Sequence, residues 1–206
     1  KDPNAQMDPS VIRNITHYLS APEWDPIIGK IKNTKLMDPT SPVQVMFVPS
    51  YLNGVDGIFD KDYYELLCGM DVTVFPSYYE PWGYTPLESV AFSVPTITTS
   101  LAGFGLWVAE HCKEHKGVEV IDRNDANDSE VVTEIASSIE KFCNMSAKEY
   151  ASYQESALKT SEIALWENLY AYYAHAYDVA LARMTERSSG FKYEGGGDQN
   201  EQINFV

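Results

Sequence analysis

Basic residues are scarce in this sequence and form no block. Its 206 residues include 15 Lys and Arg against 30 Asp and Glu, which gives a formal net charge of −15 at pH 7. Non-specific binding to nucleic acid or to an anionic membrane surface depends on clustered Lys and Arg. We therefore expect neither nucleic acid nor a membrane as a partner, and we interpret the acidity as a contribution to solubility.

Cysteine pairs and long apolar segments are also lacking. The three cysteines, Cys68, Cys112 and Cys143, are widely spaced and form no C-x-x-C pair. This favours reduced thiols in a cytoplasmic protein over a disulfide framework. No apolar run approaches the roughly 20 residues that span a bilayer. Because the chain begins with Lys1 rather than Met, we expect it to be part of a longer protein.

What the sequence does contain is an alternation of strand-like and helix-like segments. Strand-like runs occur at 43–48, 71–75, 95–99 and 118–121. Helical patterns separate the later ones, at 62–70, 86–92 and 104–114. Strands separated by helices predict an α/β fold, with a Rossmann-like parallel sheet and flanking helices.

The two ends of the chain differ from this middle part. Residues 1–42 are predicted to be an irregular arm or the end of an insertion, with one short helix over 9–19. Beyond the sheet, residues 131–142 have one apolar helical face, and Ser146 is predicted to cap further helices that run to about residue 184. The Rossmann-like domain with its C-terminal helices is thus predicted over 43–184, and 185–206 is predicted to be a flexible tail.

The last helix has a wide apolar stripe. Its members recur at spacings of three and four: Trp166, Leu169, Tyr170, Tyr173, Tyr177, Ala180 and Met184. The helix is too short for a coiled coil, so this stripe is expected to dock on the domain or on a partner.

A loop at residues 77–88 is predicted to form a strand–loop–helix corner. In parallel α/β sheets, ligands bind at such corners, outside the carboxyl ends of the strands. The free amides of Gly83, Tyr84 and Thr85 would lie where a helix N-terminus binds phosphate, and a glycine lets the backbone approach an anion closely. The loop is therefore our candidate active site.

Two carboxylates flank this loop and have different explanations. With Thr85 at the N-cap and Pro86 at the first helical position, Glu88 completes a predicted capping box. Glu88 could also accept hydrogen bonds from sugar or ribose hydroxyls, since a carboxylate has about four acceptor sites. Glu80 precedes a proline and lies before the helix, so it cannot cap it. A functional role is favoured for Glu80 because no structural role is evident.

The segment Tyr78–Pro86, read with Glu88, resembles the signature of the eukaryotic-type glycogen synthases. The segments 95–99 and 103–105 continue the resemblance in register, and 166–183 resembles the closing helix of that family. The similarity covers roughly residues 43–184. It implies a retaining glucosyltransferase of the GT-B arrangement, in which two Rossmann-like domains face a cleft, and this chain would supply most of the C-terminal, nucleotide-sugar-binding domain.

The same resemblance implies roles for individual residues. Glu80, the catalytic residue, would lie beside the donor glucose, and Glu88 beside the ribose of the nucleotide. The remaining donor-binding residues are the backbone amides of Gly83, Tyr84 and Thr85 for the diphosphate, Tyr63 for stacking on the base, Tyr51 as a weaker candidate, and Trp82, for which packing is the alternative.

The family also implies substrates and partners. The donor would be UDP-glucose or ADP-glucose, with UDP favoured, and the acceptor an α-1,4-glucan. No metal or other cofactor is expected. A further partner would be the N-terminal domain that completes the cleft. The last helix could dock on that domain or on another copy of the chain in a homo-oligomer, and the sequence leaves this choice open.

Two departures from the family pattern carry expectations. The arginine and lysine that neutralise the leaving diphosphate lie upstream of the residues present here, so the chain alone is expected to be inactive. Residues 150–168 match a region that is arginine-rich in animal and fungal members, but they contain no arginine and only Lys159. Activation by glucose 6-phosphate is therefore not expected, and a bacterial relative is favoured.

Three other interpretations use other features. His111, Glu114 and His115 match the H-x-x-E-H pattern of inverted zinc peptidases, which would require a third ligand that the sequence does not identify. Gly103-Phe104-Gly105 gives only half of a dinucleotide-binding fingerprint. The third alternative is a non-catalytic nucleotide- or carbohydrate-binding module.

Overall fold

The computed structural model describes residues 15–190, apart from Lys35, Met37 and Pro39. The helices within this part are α1 (Pro26–Lys32), α2 (Tyr63–Leu67), α3 (Tyr84–Ala91), α4 (Gly103–His111), α5 (Asp128–Cys143), α6 (Ala147–Ile163) and α7 (Trp166–Gly190). The strands are β1 (Thr73–Val74), β2 (Thr96–Thr99) and β3 (Val118–Ile121). None of these helices is long and apolar enough to cross a membrane.

The three strands form one parallel sheet in the order β1-β2-β3. The predicted α/β class and parallel sheet are confirmed. The predicted strand 118–121 is β3 residue for residue, whereas the predicted strand 71–75 pairs only at Thr73 and Val74. All four residues of the central strand β2 are buried, which explains why its sequence is a continuous β-branched run.

Helices cover both faces of this sheet. On one face, Val90 of α3, Phe104 of α4 and Ala157 of α6 are fully buried against Val118 of β3. On the other face, the predicted apolar side of α5 is confirmed: its buried Val131 packs with Ile97 and Ile121 from the strands. The sheet is therefore a buried layer whose carboxyl ends point towards the loops that follow the strands.

The predicted strand at 43–48 is wrong as a member of this sheet. Its one bridge joins Phe47 to Ile15 in the arm. Val43 and Met46 are 58% and 63% exposed, so the run lacks the two buried faces that a central parallel strand needs. Phe47 instead packs in a small separate cluster of apolar residues with Ile15, Leu19 and Ile28.

The arm differs from its prediction in a second way. Residues 1–14, which held most of the predicted helix 9–19, lie outside the described part, and its remaining residues are not helical. A helix forms later, as α1, where the Asp25 side chain accepts hydrogen bonds from the Ile27 and Ile28 N–H groups and Pro26 occupies the first turn. An N-cap Asp followed by Pro is a typical helix start, but the sequence analysis did not predict a helix here.

The C-terminal helices are longer than predicted. Ser146 caps α6 as expected, since its hydroxyl accepts from the Glu149 N–H. The last helix, α7, continues past residue 184 to Gly190, and residues 191–206 of the predicted tail lie outside the described part. The described domain covers the apolar stripe of α7 only in part: Trp166 and Leu169 border a cavity beside α3 and α4, whereas Tyr177 and Met184 are 59% and 60% exposed.

Candidate functional site

The loop after β1 is joined to the loop after β2. The Glu80 N–H donates to the Leu101 carbonyl (3.2 Å), and the Gly103 N–H donates to the Glu80 carbonyl (3.0 Å), so Glu80 and Ala102 form a parallel bridge. Both loops leave the carboxyl ends of adjacent parallel strands. The predicted corner therefore lies where ligands bind in open α/β sheets.

The Glu80 carboxylate lies against the backbone of Gly83. A Cβ atom built on Gly83 would be 3.3 Å from Oε2 of Glu80 and 3.1 Å from the Pro86 ring. The Ser77 hydroxyl donates to the same Oε2 at 3.3 Å. Ser77 therefore fixes the Glu80 carboxylate beside the turn that starts α3, and only a glycine leaves room for it there.

The predicted capping box at Thr85 is wrong. Helix α3 begins at Tyr84, two residues earlier than predicted, and its N-cap is Gly83 with φ 108° and ψ 80°. This left-handed conformation suits glycine and turns the chain into the helix before Thr85 is reached. Pro86 is tolerated inside the first turn because N–H groups there have no intrahelical acceptor. No side chain caps the helix, and Glu88 is free for other partners.

Glu88 receives a hydrogen bond from Tyr64 of α2. The Tyr64 hydroxyl donates to Oε1 of Glu88 at 2.9 Å, and its ring stacks on Phe92 at 5.3 Å between centroids. This hydrogen bond, and next the charge of Glu88, raise the pKa of Tyr64. Burial, followed by the same charge, raises the pKa of Tyr63, whose ring contacts Tyr64 edge-on.

Helix α2 positions both tyrosines. Asp62 caps it by accepting from the Glu65 N–H, and the Glu65 side chain returns a bond to the Asp62 N–H, a complete capping box. The sequence identified Tyr63 but missed Tyr64. Nothing in the helical pattern at 62–70 singled out Tyr64, because its partner Glu88 is 24 residues away.

The Trp82 side chain packs against other aromatic rings, and its backbone carbonyl joins the loop at residues 77–88 to the start of α4. Its ring contacts Phe104 and Trp107, each at 5.8 Å between centroids, and its carbonyl accepts from the Phe104 N–H. Trp82 also borders an aromatic cavity of about 790 Å³ between α3, α4 and the start of α7. The lining includes Tyr84, Leu87, Glu88, Trp107, Trp166 and Tyr172.

The structure brings most of the predicted site residues to one corner, though not all of them. Glu80 lies against Gly83 at the start of α3, the exposed Tyr84 and Thr85 form its first turn, and Glu88 follows on the same helix. Tyr63 joins them through Tyr64. Tyr51 does not, because its side chain is 97% exposed and borders no part of the cavity.

A buried arginine near this loop was not predicted. Arg123 follows β3 and is 7% exposed. Its guanidinium carbon lies 3.4 Å from the centroid of the Tyr78 ring, and its Nη2 atom donates to Asp128 at 2.8 Å. The Tyr78 hydroxyl also donates to Asp128. The sequence feature that could have identified it is an isolated arginine two residues after the end of β3.

The motifs behind two rival interpretations have structural explanations. Helix α4 ends at His111, so His115 does not share its face. The Nδ1 atoms of these histidines lie near the carbonyl oxygens of Trp107 and Val118, and the described residues contain no group of three or more His, Cys, Asp or Glu suited to a metal ion. In the half fingerprint, a Cβ at Gly103 would overlap the Pro81 carbonyl, so close backbone packing accounts for that glycine.

Comparisons with known proteins agree with the motif at the corner. Residues 4–203 match the family model described as Glycogen synthase. The chain is 36% identical over 163 residues to a glycogen [starch] synthase of Caenorhabditis elegans, covering 78% of this chain and 24% of the relative. It is 33% identical to isoform 1 of Saccharomyces cerevisiae (82% and 25% covered) and 32% identical to the human liver protein (82% and 24% covered). The chain therefore spans about a quarter of the length of these relatives.

Proposed function

Because this chain belongs to the glycogen synthase family, we propose that it is the donor-binding part of a retaining glucosyltransferase that extends an α-1,4-glucan. The observation that carries the proposal is the arrangement at the start of α3. The Glu80 carboxylate lies against Gly83, no side chain caps the helix, and Glu88 follows one turn later.

The diphosphate of the donor binds at the first turn of α3. The N–H groups of Gly83, Tyr84 and Thr85 supply donors there, and the helix dipole favours negative charge at this end. Gly83 lets the phosphate oxygens approach the backbone because it has no side chain. The absence of a side-chain cap on α3 supports this assignment, because in the predicted capping box the Glu88 side chain would have accepted from the Thr85 N–H.

The two glutamates bind opposite ends of the donor. Glu80 lies beside the glucose, and Glu88 accepts from the ribose hydroxyls while Tyr63 stacks on the base. The bond between glucose and the diphosphate breaks, and its electron pair stays on the diphosphate. The 4-hydroxyl oxygen of the glucan bonds to the same face of the sugar, so the configuration is retained, and its proton passes to the departing diphosphate. Glu80 orients the sugar and stabilises positive charge that develops on it.

A cation is needed to stabilise the leaving diphosphate. The proposed corner contains two carboxylates and no Lys or Arg between residues 77 and 88. We propose that residues outside this chain supply the cations and the second wall of the cleft. Binding without turnover is therefore the behaviour expected of the chain alone.

The proposal also extends to the donor nucleotide, the location of the protein and its regulation. UDP is preferred to ADP as the donor nucleotide on the strength of the motif Tyr78–Pro86. A cytoplasmic location is supported by the free thiols of Cys68, Cys112 and Cys143. The bacterial origin, the homo-oligomer and the absence of glucose 6-phosphate activation stay predictions.

Titration calorimetry with the 206-residue chain tests the binding part. UDP and UDP-glucose are expected to bind, ADP and ADP-glucose more weakly, and glucose alone not at all. Replacing Glu80 by Gln is expected to weaken UDP-glucose and leave UDP unchanged. Failure of all four nucleotides to bind would overturn the proposal.

A transfer assay tests the catalytic part. The complete gene product that carries these residues is expected to transfer glucose from UDP-glucose to glycogen, and Glu80→Ala to lower kcat by about 100-fold or more. Transfer by the 206-residue chain alone would contradict the assignment of the cations to other residues. Nucleotide binding without transfer by the complete product would favour the non-catalytic binding module.

A further inference from the structure

We propose that Arg123 is a positioning residue that holds Glu80 in place through Tyr78 and Ser77. The inference rests on the proposed function, since it concerns the same donor site. Arg123 follows β3 at the carboxyl edge of the sheet, and the loops after β1 and β2 lie at the same edge. Its side chain is 6% exposed.

The guanidinium group has few partners, and most of them belong to one short segment. Its Nη1 atom donates to the Pro76 carbonyl at 2.8 Å, and its planar face lies 3.4 Å from the centroid of the Tyr78 ring. Its Nε atom has no hydrogen-bond partner among the described residues. Burying a charged group costs free energy unless it is paired, so these contacts at 76–78 determine where the guanidinium can lie.

Asp128 completes the arrangement from α5. It accepts from Nη2 of Arg123 at 2.8 Å and from the Tyr78 hydroxyl at 3.1 Å. The Asp128 side chain is 63% exposed, whereas that of Arg123 is 6% exposed, so solvent screens the pair from the Asp128 side only. The cluster formed by Arg123, Tyr78 and Asp128 therefore fixes the positions of the Tyr78 ring and the Pro76 carbonyl.

Ser77, between these two residues, connects the cluster to Glu80. Its carbonyl accepts from the Thr99 hydroxyl of β2 at 2.8 Å, and its own hydroxyl donates to Oε2 of Glu80 at 3.3 Å. Side chains from other elements thus hold all three residues: Arg123 contacts Pro76, Thr99 contacts Ser77, and both Arg123 and Asp128 contact Tyr78. If Arg123 is removed, Ser77 keeps its carbonyl bond from Thr99, but the residues on both sides of it lose their contacts with the guanidinium. The Ser77 hydroxyl, and the Glu80 carboxylate that it orients, are then held less firmly.

A lysine could not replace Arg123. An ammonium group lacks the planar face that lies on the Tyr78 ring and the fork that reaches two acceptors on different elements. We therefore expect Arg123→Lys to restore only a small part of what Arg123→Met removes, although it restores the charge in full.

The test compares the affinities of the 206-residue chain for UDP and UDP-glucose. Because Glu80 lies beside the glucose, Arg123→Met is expected to weaken UDP-glucose about fivefold and to change UDP less than twofold. Tyr78→Leu is expected to reproduce this effect if Arg123→Met fails to fold, and Tyr78→Phe, which keeps the ring, to stay within twofold of the unsubstituted chain.

Lys141→Met is the matched control. Lys141 also combines an ion pair, with Glu119 at 3.3 Å, and a ring contact, with Tyr153 at 5.3 Å, but it has no contact with residues 76–80. It is expected to leave the ratio of the two affinities unchanged. A double-mutant cycle with Glu80→Gln then asks whether Arg123 acts through Glu80, because coupled residues are not additive. Arg123→Met should have no further effect in the Glu80→Gln background.

Each outcome is informative. An unchanged ratio in Arg123→Met, equal weakening of UDP and UDP-glucose, or a full effect in the Glu80→Gln background would overturn the positioning role. Each of these results leaves the proposed function intact. If the unsubstituted chain binds neither nucleotide, the proposed function fails and the inference fails with it.

Discussion

The Tyr64 hydroxyl donates a 2.9 Å hydrogen bond to Oε1 of Glu88, although the two residues are 24 positions apart and lie on different helices. Stacking of the Tyr64 ring on Phe92 holds the phenol over α3. The carboxylate that we assign to the ribose is thereby oriented before any ligand arrives, with Oε2 left for a second donor. Pre-orientation of this kind reduces the ordering cost of binding.

Tyr64→Phe removes this hydrogen bond and keeps the ring. Because the pair is partly exposed, we expect a modest loss, with UDP affinity lowered about threefold. Titration calorimetry measures it, and Tyr177→Phe, on the exposed face of α7, serves as the control. Unchanged or tighter binding in Tyr64→Phe would show that the hydroxyl does not help to present Glu88.

The pKa values of Tyr63 and Tyr64 are expected to lie above their ordinary value near 10. Glu88→Gln should lower both, and Tyr64 more, because the hydrogen bond to Glu88 is the main cause there whereas burial is the main cause for Tyr63. The neutral phenol donates this bond, so its contribution to stability is present below about pH 10 and is lost as pH rises through the raised pKa. NMR titration of ¹³C-labelled tyrosine measures these shifts, and an unmoved Tyr64 in Glu88→Gln would contradict the assignment.

Gly83→Ala tests the space at the start of α3. The new Cβ would meet Glu80 and Pro86 at a φ of 108°, so we expect a loss of about 2 kcal/mol in the free energy of unfolding and loss of UDP binding. Gly57→Ala is the matched control, since Gly57 has a φ of 77° but nothing within 4 Å of its added Cβ. It should cost about 1 kcal/mol and leave UDP binding intact. Denaturant unfolding measures the stability of both variants, and calorimetry measures their affinity for UDP. Normal UDP binding by Gly83→Ala would argue against a phosphate site at this turn.

Asp56 joins the arm to the domain. It is 8% exposed, lies 3.2 Å from the Nε2 atom of the buried His17, and accepts backbone bonds from Ile58, Phe59 and Asp60. The bond from Phe59 is the main reason that the pKa of Asp56 lies below its ordinary value. Asp56→Ala leaves the buried His17 and the part-buried backbone donors at 58–60 without this acceptor, and we expect the arm to open.

Limited proteolysis measures this opening as faster cleavage within residues 15–34. The control is Asp38→Ala, because Asp38 forms a comparable turn with Thr40 on the exposed surface. Equal cleavage rates in the two variants would show that the His17–Asp56 contact does not hold the arm.

The central strand of the sheet could be predicted because it is buried on both faces. Such a strand appears in the sequence as a continuous β-branched run, whereas β3, whose two middle residues are partly buried, was found from its mainly apolar residues and its place after a helix. The run at 43–48 has a similar composition but pairs with Ile15 outside the sheet. Composition alone could not separate these cases, since burial of Val43 or Met46 depends on what packs over them.

At the loop 77–88, the residues of the candidate site could be predicted from the sequence, but the residue at which α3 begins could not. The rule that proline favours the first helical position placed Thr85 at the N-cap. The left-handed backbone of Gly83 started the helix two residues earlier, and the amides at the helix start are uncapped as a result. Local capping rules compare nearby side chains, and they do not include the contact between Gly83 and the Glu80 carboxylate.

The sequence by itself determined the alternation of strands and helices, the family signature at Tyr78–Pro86, and the two glutamates that flank the helix start, because each of these depends on residues close together in the chain. Only the tertiary structure decided which groups hold those glutamates. Tyr64 reaches Glu88 across 24 residues, and Arg123 reaches the Pro76 carbonyl across 47. No local periodicity encodes contacts of that separation, since they exist only after the parallel strands bring the loops at their carboxyl ends to one edge of the sheet.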